Sequence, residues 1–211
     1  MRREIKKQIL KVKPLYKLIR KVINKSKGIK LRDGFNEKEL KFLLEHIGNK
    51  GLVVEIGTFG GETTKDLAKE NLVIAIDPFI PDDETGTLQG LYPEQVYTQF
   101  MENNKGKNVV LFPMKSSEAL VFVELSKMDL VLSGIFVDGL HTYEGVKVDV
   151  QWAKYLKVGG IIAFHDSFQE GVNKGIVEFL NENKDFKFIG TEQSLRIYKK
   201  TGKFIPEVED E

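Results

Sequence analysis

Two of the three histidines in this chain stand beside aspartates at the ends of apolar runs. Ile135-Phe136-Val137 leads into Asp138, with His141 three residues later, and Ile161-Ile162-Ala163-Phe164 leads into His165-Asp166. A histidine near its ordinary pKa exchanges a proton at neutral pH. Carboxylates gathered around a polar centre can hold a hard divalent cation, and such a cation lowers the pKa of a hydroxyl brought against it. Either pair alone has a bland explanation, since Asp-Gly is a common turn and a loop histidine is usually just hydrogen-bonded. Both pairs gain weight from a third feature upstream.

That feature is Leu52-Val53-Val54-Glu55-Ile56-Gly57-Thr58-Phe59-Gly60-Gly61-Glu62-Thr63-Thr64. A short apolar run rich in β-branched residues reads as a buried strand. A glycine-rich turn and a helical pattern follow, a cradle for a nucleotide-like ligand. A dinucleotide fingerprint is G-x-G-x-x-G, but here Thr58 stands at the second glycine. Downstream, Leu72-Val73-Ile74-Ala75-Ile76 reads as a second strand ending in Asp77, which can accept hydrogen bonds from ribose hydroxyls. That carboxylate suits NAD and S-adenosylmethionine equally, and it also suits a plain turn with Pro78. Thr58 counts against NAD, whose pyrophosphate needs the close approach that a glycine allows.

The elements that position these residues alternate. Helical patterns cover Asn36 to Ile47, Thr63 to Asn71, Pro93 to Asn103, Glu118 to Ser126, Tyr143 to Leu156 and Gly175 to Asn183. Strands are expected at 52–56, 72–76, 109–112, 134–138 and 161–166, with a closing hairpin at 186–190 and 194–198. Val158-Gly159-Gly160 is read as the stop between the fifth helix and the fifth strand. This alternation implies an α/β fold with one doubly wound, mostly parallel sheet, seven-stranded and closed by an antiparallel pair. Strand tips then share one edge, so the glycine turn, Asp77 and the two His/Asp pairs face one crevice. Ser116, after the third strand, falls near where an adenine would lie.

The segment Gly134-Ile-Phe-Val-Asp138-Gly-Leu-His141-Thr-Tyr143-Glu, followed by a helix and then Leu156-Lys-Val-Gly-Gly160-Ile-Ile-Ala-Phe-His165-Asp166, resembles the class I S-adenosylmethionine-dependent methyltransferases. The resemblance is to the macrocin-type sugar O-methyltransferases and their cephalosporin hydroxylase-like relatives. It runs over roughly residues 36–200. It implies a Rossmann-like methyltransferase fold and an O-methyltransferase acting on a small-molecule hydroxyl, a sugar or glycoside. It implies cofactor contacts at Glu55, Gly57, Gly61 and Asp77; Thr58, Ser116 and Asp138 are read as further cofactor contacts. It implies a Mg²⁺-like cation on Asp138 and Asp166, to which His165 is added here as a third ligand, and His141 as general base. Lys115 and His165 depart from the family pattern, since acidic residues often stand at both positions. Two other function classes compete: a NAD-dependent oxidoreductase, and a non-catalytic binding protein recruited to membranes.

Composition sets the outer bounds. A length of 211 residues suits one α/β domain, residues 31–202, with a helical extension at 1–30 and an acidic tail at 203–211. With no cysteine there is no disulfide, thiol nucleophile or cysteine zinc site, which is compatible with a cytoplasmic setting. Residues 1–30 hold 12 Lys/Arg against Glu4 alone, and the remainder holds 20 Lys/Arg against 30 Asp/Glu. An acidic body argues against a nucleic-acid partner. In residues 1–26, Ile5, Ile9, Val12, Tyr16, Ile19 and Ile23 make an amphipathic helical pattern interrupted by Pro14. It is read either as a helix packed on the domain or a second subunit, or as a peripheral contact with the inner face of the membrane. A homo-oligomer is expected. No apolar run is long enough to span a bilayer, and the 78–92 loop is read as a lid or substrate segment.

Overall fold

The computed structural model describes residues 35–81 and 90–202. The amphipathic segment 1–26, the middle of the 78–92 loop and the acidic tail lie outside the described residues. In chain order the elements are α1 (Glu37–Ile47), β1 (Leu52–Ile56), α2 (Glu62–Leu67), β2 (Leu72–Ile76), α3 (Pro93–Asn103), β3 (Val109–Phe112) and α4 (Ser116–Leu125). There follow β4 (Leu132–Val137), α5 (Tyr143–Asp149) with a 3₁₀ turn (Val150–Tyr155), β5 (Leu156–Phe164), α6 (Glu170–Glu182), β6 (Phe186–Glu192) and β7 (Leu195–Lys200).

The seven strands form one sheet in the order β3-β2-β1-β4-β5-β7-β6. β3 through β5 are parallel; β7 runs antiparallel to both β5 and β6. The expected doubly wound sheet with a closing antiparallel pair is therefore present. Strand order reverses between β1 and β4, where an open parallel sheet leaves a crevice beyond its carboxyl edge.

Both faces of the sheet are covered, which is why the strands read as continuous apolar runs. Val54, Ile56, Ile74, Ile135, Val137, Ile162 and Phe164 point to one side and pack with Leu120, Val123, Trp152 and Ile176. The alternate residues Val53, Val73, Phe136, Ile161 and Ala163 pack on the other side with Leu43, Ile47 and Leu67. Fully burying a side chain of this kind contributes about 1.5–3 kcal/mol relative to leaving it exposed, so the two layers fix where every strand tip lies.

Several element boundaries differ from expectation. α2 closes at Leu67, and Ala68 to Asn71 make a turn in which Asn71 donates to the Gly48 and Leu67 carbonyls. The fifth helix gives way to a 3₁₀ turn at Val150, and the chain re-enters the sheet at Leu156. Val158-Gly159-Gly160 thus lies within β5. Its register against β4 breaks between Leu132 and Gly134, an irregularity that absorbs the extra residues. α6 starts at Glu170 and Gly175 lies inside it; an added Cβ there would meet Val146 Cγ1 at 2.6 Å, so α5 and α6 cross too closely for a side chain.

Candidate active site

At the tip of β1 the backbone enters the left-handed region at Gly57, φ +81°. A Cβ there would lie 2.0 Å from the Asp138 carbonyl oxygen. Only glycine allows the two loops to touch in this way. Gly57 N donates to Ile76 O, and Asp138 N donates to Ile56 O. The glycine turn and the β4 tip are thus one structure, open on the same edge.

The turn is held from two more directions. Asp77 Oδ2 accepts from the backbone N–H of Thr58 and of Phe59, both at 2.9 Å, and Oδ1 accepts from Phe79 N at 2.7 Å. Burial pushes the Asp77 carboxyl above its ordinary value, and these three N–H bonds oppose that. From the opposite side Asn103 donates to Gly60 O and Asn104 to Gly61 O. Glu55 is buried in β1. Thr58 Oγ1 is buried with no hydrogen-bond partner among the described residues.

Ser116 is the first residue of α4. Its Oγ accepts from Trp152 Nε1 at 3.0 Å, which leaves the hydroxyl proton for the buried Asp149. Burial pushes the Asp149 carboxyl up to about 7, and the Ser116 bond offsets this in part. Asp149 Oδ2 lies 3.1 Å from where a Gly139 Cβ would be, beneath the loop that carries Asp138.

Asp138, His141, His165 and Asp166 converge at the tips of β4 and β5. His165 Nδ1 lies 2.9 Å from Asp138 Oδ1 and 3.4 Å from Asp166 Oδ2. His141 Nε2 lies 3.3 Å from Asp166 Oδ2 and 3.7 Å from Asp138 Oδ1. Ligand atoms of Asp138, His165 and Asp166 all fall within 4.8 Å of one another. His165 is buried, whereas the His141 side chain is 40 % exposed and reaches Gln169 Nε2 through Nδ1 at 3.3 Å. Burial alone would lower the His165 pKa, but the Asp138 bond and the charges of Asp138, Asp166 and Glu39 outweigh it and raise it to about 9. The His141 pKa is also raised, chiefly by Asp138, against partial burial and with help from Asp166.

The protein-family model described as a methyltransferase domain matches residues 54–167, more than half of the chain. The chain belongs to this methyltransferase family. It is a class I S-adenosylmethionine-dependent methyltransferase, and the nicotinamide and non-catalytic readings fall away. Among solved structures, the fold is similar to the O-methyltransferase NovP at 15% identity, covering 78% of this chain and 79% of that one with a TM-score of 0.60. It is similar to the calicheamicin methyltransferase CalS11 at 15% identity, covering 87% and 90% with a TM-score of 0.56. It is also similar to SMU.1697c from Streptococcus mutans, solved with SAH, at 12% identity, covering 81% and 99% with a TM-score of 0.56. No curated protein matches the chain by sequence.

Four residues that touch the glycine turn or the strand-tip cluster carry no local sequence signal: Glu39, Asn103, Asn104 and Gln169. Each reaches the site from another element, so spacing along the chain cannot reveal it. Glu39 reads in sequence only as the third residue of a capped helix. Among the described residues no helix is long and apolar enough to cross a membrane.

Proposed function

We propose that this methyltransferase transfers a methyl group to a hydroxyl of a small molecule, a sugar or glycoside, with His141 as general base. The observation that carries the reading is the convergence of His141, Asp138, His165 and Asp166 beside the glycine turn. Glu55, Gly57, Thr58, Gly61, Asp77, Ser116 and Asp138 are assigned to the cofactor. Thr58 Oγ1, buried without a hydrogen-bond partner among the described residues, supports a polar ligand contact at the turn. Asp77 already spends three acceptor positions on backbone N–H groups, so its ribose contact uses the free side of Oδ1.

S-adenosylmethionine supplies an electrophilic methyl on a cationic sulfur, and its thioether leaves neutral. The protein therefore needs no general acid. Its task is to align and deprotonate the acceptor. His141 is exposed enough to meet an incoming hydroxyl, and its ring takes the proton. Asp166 and Asp138 stabilise the imidazolium that results. With Nε2–H toward these carboxylates, Nδ1 is the atom that takes the proton, and Gln169 Nε2, 3.3 Å from it, yields that position to the incoming hydroxyl.

Asp138, His165 and Asp166 fit a divalent cation, with close-set donors and an oxygen-rich set that favours Mg²⁺ or Mn²⁺. When bound, such a cation lowers the pKa of an acceptor hydroxyl and fixes its position. The sugar reading is supported by neighbours of this fold: NovP is an O-methyltransferase, and CalS11 is described as a TDP-rhamnose 3'-O-methyltransferase.

The test is transfer of labelled methyl from S-adenosylmethionine to a panel of nucleoside-diphosphate sugars and glycosides, with and without chelator. The reading expects O-methylated sugar as product. Labelling of amine or RNA acceptors, with every sugar hydroxyl left unmodified, would overturn it.

A further inference from the structure

We propose that Glu39, on the helix that opens the described domain, is a positioning residue that fixes the ring orientation of His165 and so presents Nδ1 to the carboxylate cluster. The cation part of this rests on the reading above; the orientation does not.

Glu39 has two tasks, and its two oxygens divide them. Oε2 accepts from the Asn36 N–H at 3.2 Å, and Asn36 Oδ1 accepts in return from Glu39 N at 3.1 Å. That is a capping box. It requires one oxygen and can stand in solvent. Yet Glu39 is 2 % exposed. Its second oxygen, Oε1, is turned inward. It accepts from Ser194 N at 2.9 Å and from Ser194 Oγ at 2.6 Å, and lies 3.6 Å from His165 Nε2. A helix cap gains nothing from that placement.

The same frame grips the other side of the cluster. The Ser194 carbonyl accepts from Ser167 N at 2.9 Å and from Ser167 Oγ at 2.6 Å. Ser167 follows Asp166, whose backbone sits at φ +48°. Phe35 packs edge-on against the His165 ring with centroids 5.0 Å apart. The ring thus has a carboxylate beyond each nitrogen: Glu39 behind Nε2, and Asp138 with Asp166 before Nδ1.

A half-turn of the ring would put carbon atoms against both carboxylates. At 3.6 Å the Glu39 contact is longer than a hydrogen bond, so it acts through charge on the Nε2–H dipole. Keeping Nε2–H toward Glu39 leaves Nδ1 directed at Asp138 and Asp166. When one ring nitrogen ligates a metal, a carboxylate on the other fixes tautomer and orientation, and losing that partner typically costs about 10–100-fold in metal affinity.

The test uses the full chain and the Glu39→Gln variant, which retains a capping-box residue and an acceptor for Ser194. Two readouts separate positioning from mere stability. The first is Mn²⁺ affinity by calorimetry or EPR, expected to weaken about tenfold or more. The second is the imidazole Nε2–H proton of His165 by NMR, expected to be protected from exchange in the wild type and lost in Glu39→Gln. The melting temperature serves as control. Unchanged Mn²⁺ affinity together with an unchanged His165 N–H signal would overturn the proposal. If the wild-type chain binds no Mn²⁺, the cation reading fails, and the N–H signal alone decides the orientation. Should Glu39→Gln not fold, Ser194→Ala frees Oε1 from one anchor. It is expected to shift both readouts in the same direction by less, and no shift in either overturns the proposal.

Discussion

At His141 the two nearest charges are carboxylates, Asp166 Oδ2 at 3.3 Å and Asp138 Oδ1 at 3.7 Å. They hold the imidazolium and raise its pKa above 6.5. A base must be neutral to act, so activity rises with pH and the ascending limb of kcat/KM is expected above pH 6.5. In His141→Ala that limb disappears and kcat falls by about 10²-fold or more, while S-adenosylmethionine binding, followed by calorimetry, is retained. A pH–rate profile that His141→Ala leaves intact would remove the base assignment. Asp149 sets a different pH dependence, in stability. Its carboxyl moves from 3.8 up to about 7 on burial, so between those values the folded chain keeps a proton that the unfolded chain has lost. Stability is then fully present below the unfolded pKa and is lost as pH rises toward 7. Asp149→Asn removes this loss. Its advantage over the wild type in thermal melts is expected to be larger at pH 8 than at pH 5.

The glycine turn works as an element because three others grip it: β2 through Asp77, α3 through Asn103 and Asn104, and the β4 tip through the Asp138 carbonyl. Gly57→Ala tests that grip. The new methyl meets the Asp138 oxygen at 2.0 Å in a left-handed backbone, so β1 and β4 must part. Strain of this kind costs of order 1–3 kcal/mol. Urea unfolding is expected to show that loss, with weakened S-adenosylmethionine binding measured in parallel. A variant with wild-type stability and affinity would mean that the two loops are not coupled. The strands of this region were legible because each is a β-branched run buried on both faces, and their tips follow from the alternation of strand and helix. Helix starts were less legible. Gly175 looks like a boundary and is instead a contact point with Val146, a fact of packing between helices. His141, His165 and the two aspartates stood out by residue type. Glu39 and the Asn103–Asn104 pair did not, because a glutamate in a capping box and a pair of asparagines at a helix end look ordinary until the sheet brings them to the site.

On the scale of the whole chain, charge is segregated: residues 1–30 carry 12 Lys/Arg against one Glu, while the rest carries 20 Lys/Arg against 30 Asp/Glu. The net charge of +1 conceals this division. An anionic bilayer attracts each nearby Lys or Arg by about 1 kcal/mol, an attraction that falls off within a Debye length. The acidic remainder is repelled by the same surface, so membrane contact by this chain would run through the basic segment and weaken steeply with salt. The intact chain is therefore expected to sediment with phosphatidylserine vesicles at low ionic strength, to release at about 0.5 M salt where the Debye length is only a few ångströms, and to ignore neutral vesicles. Replacing Lys6, Lys7, Lys11 and Lys13 with glutamine should cut the bound fraction while leaving methyl transfer to a soluble acceptor unchanged, because none of them is among the residues assigned to cofactor, cation or base. Equal sedimentation of the two chains would show that the attraction does not come from the basic segment, and its place would pass to a packing role against the domain or a second copy.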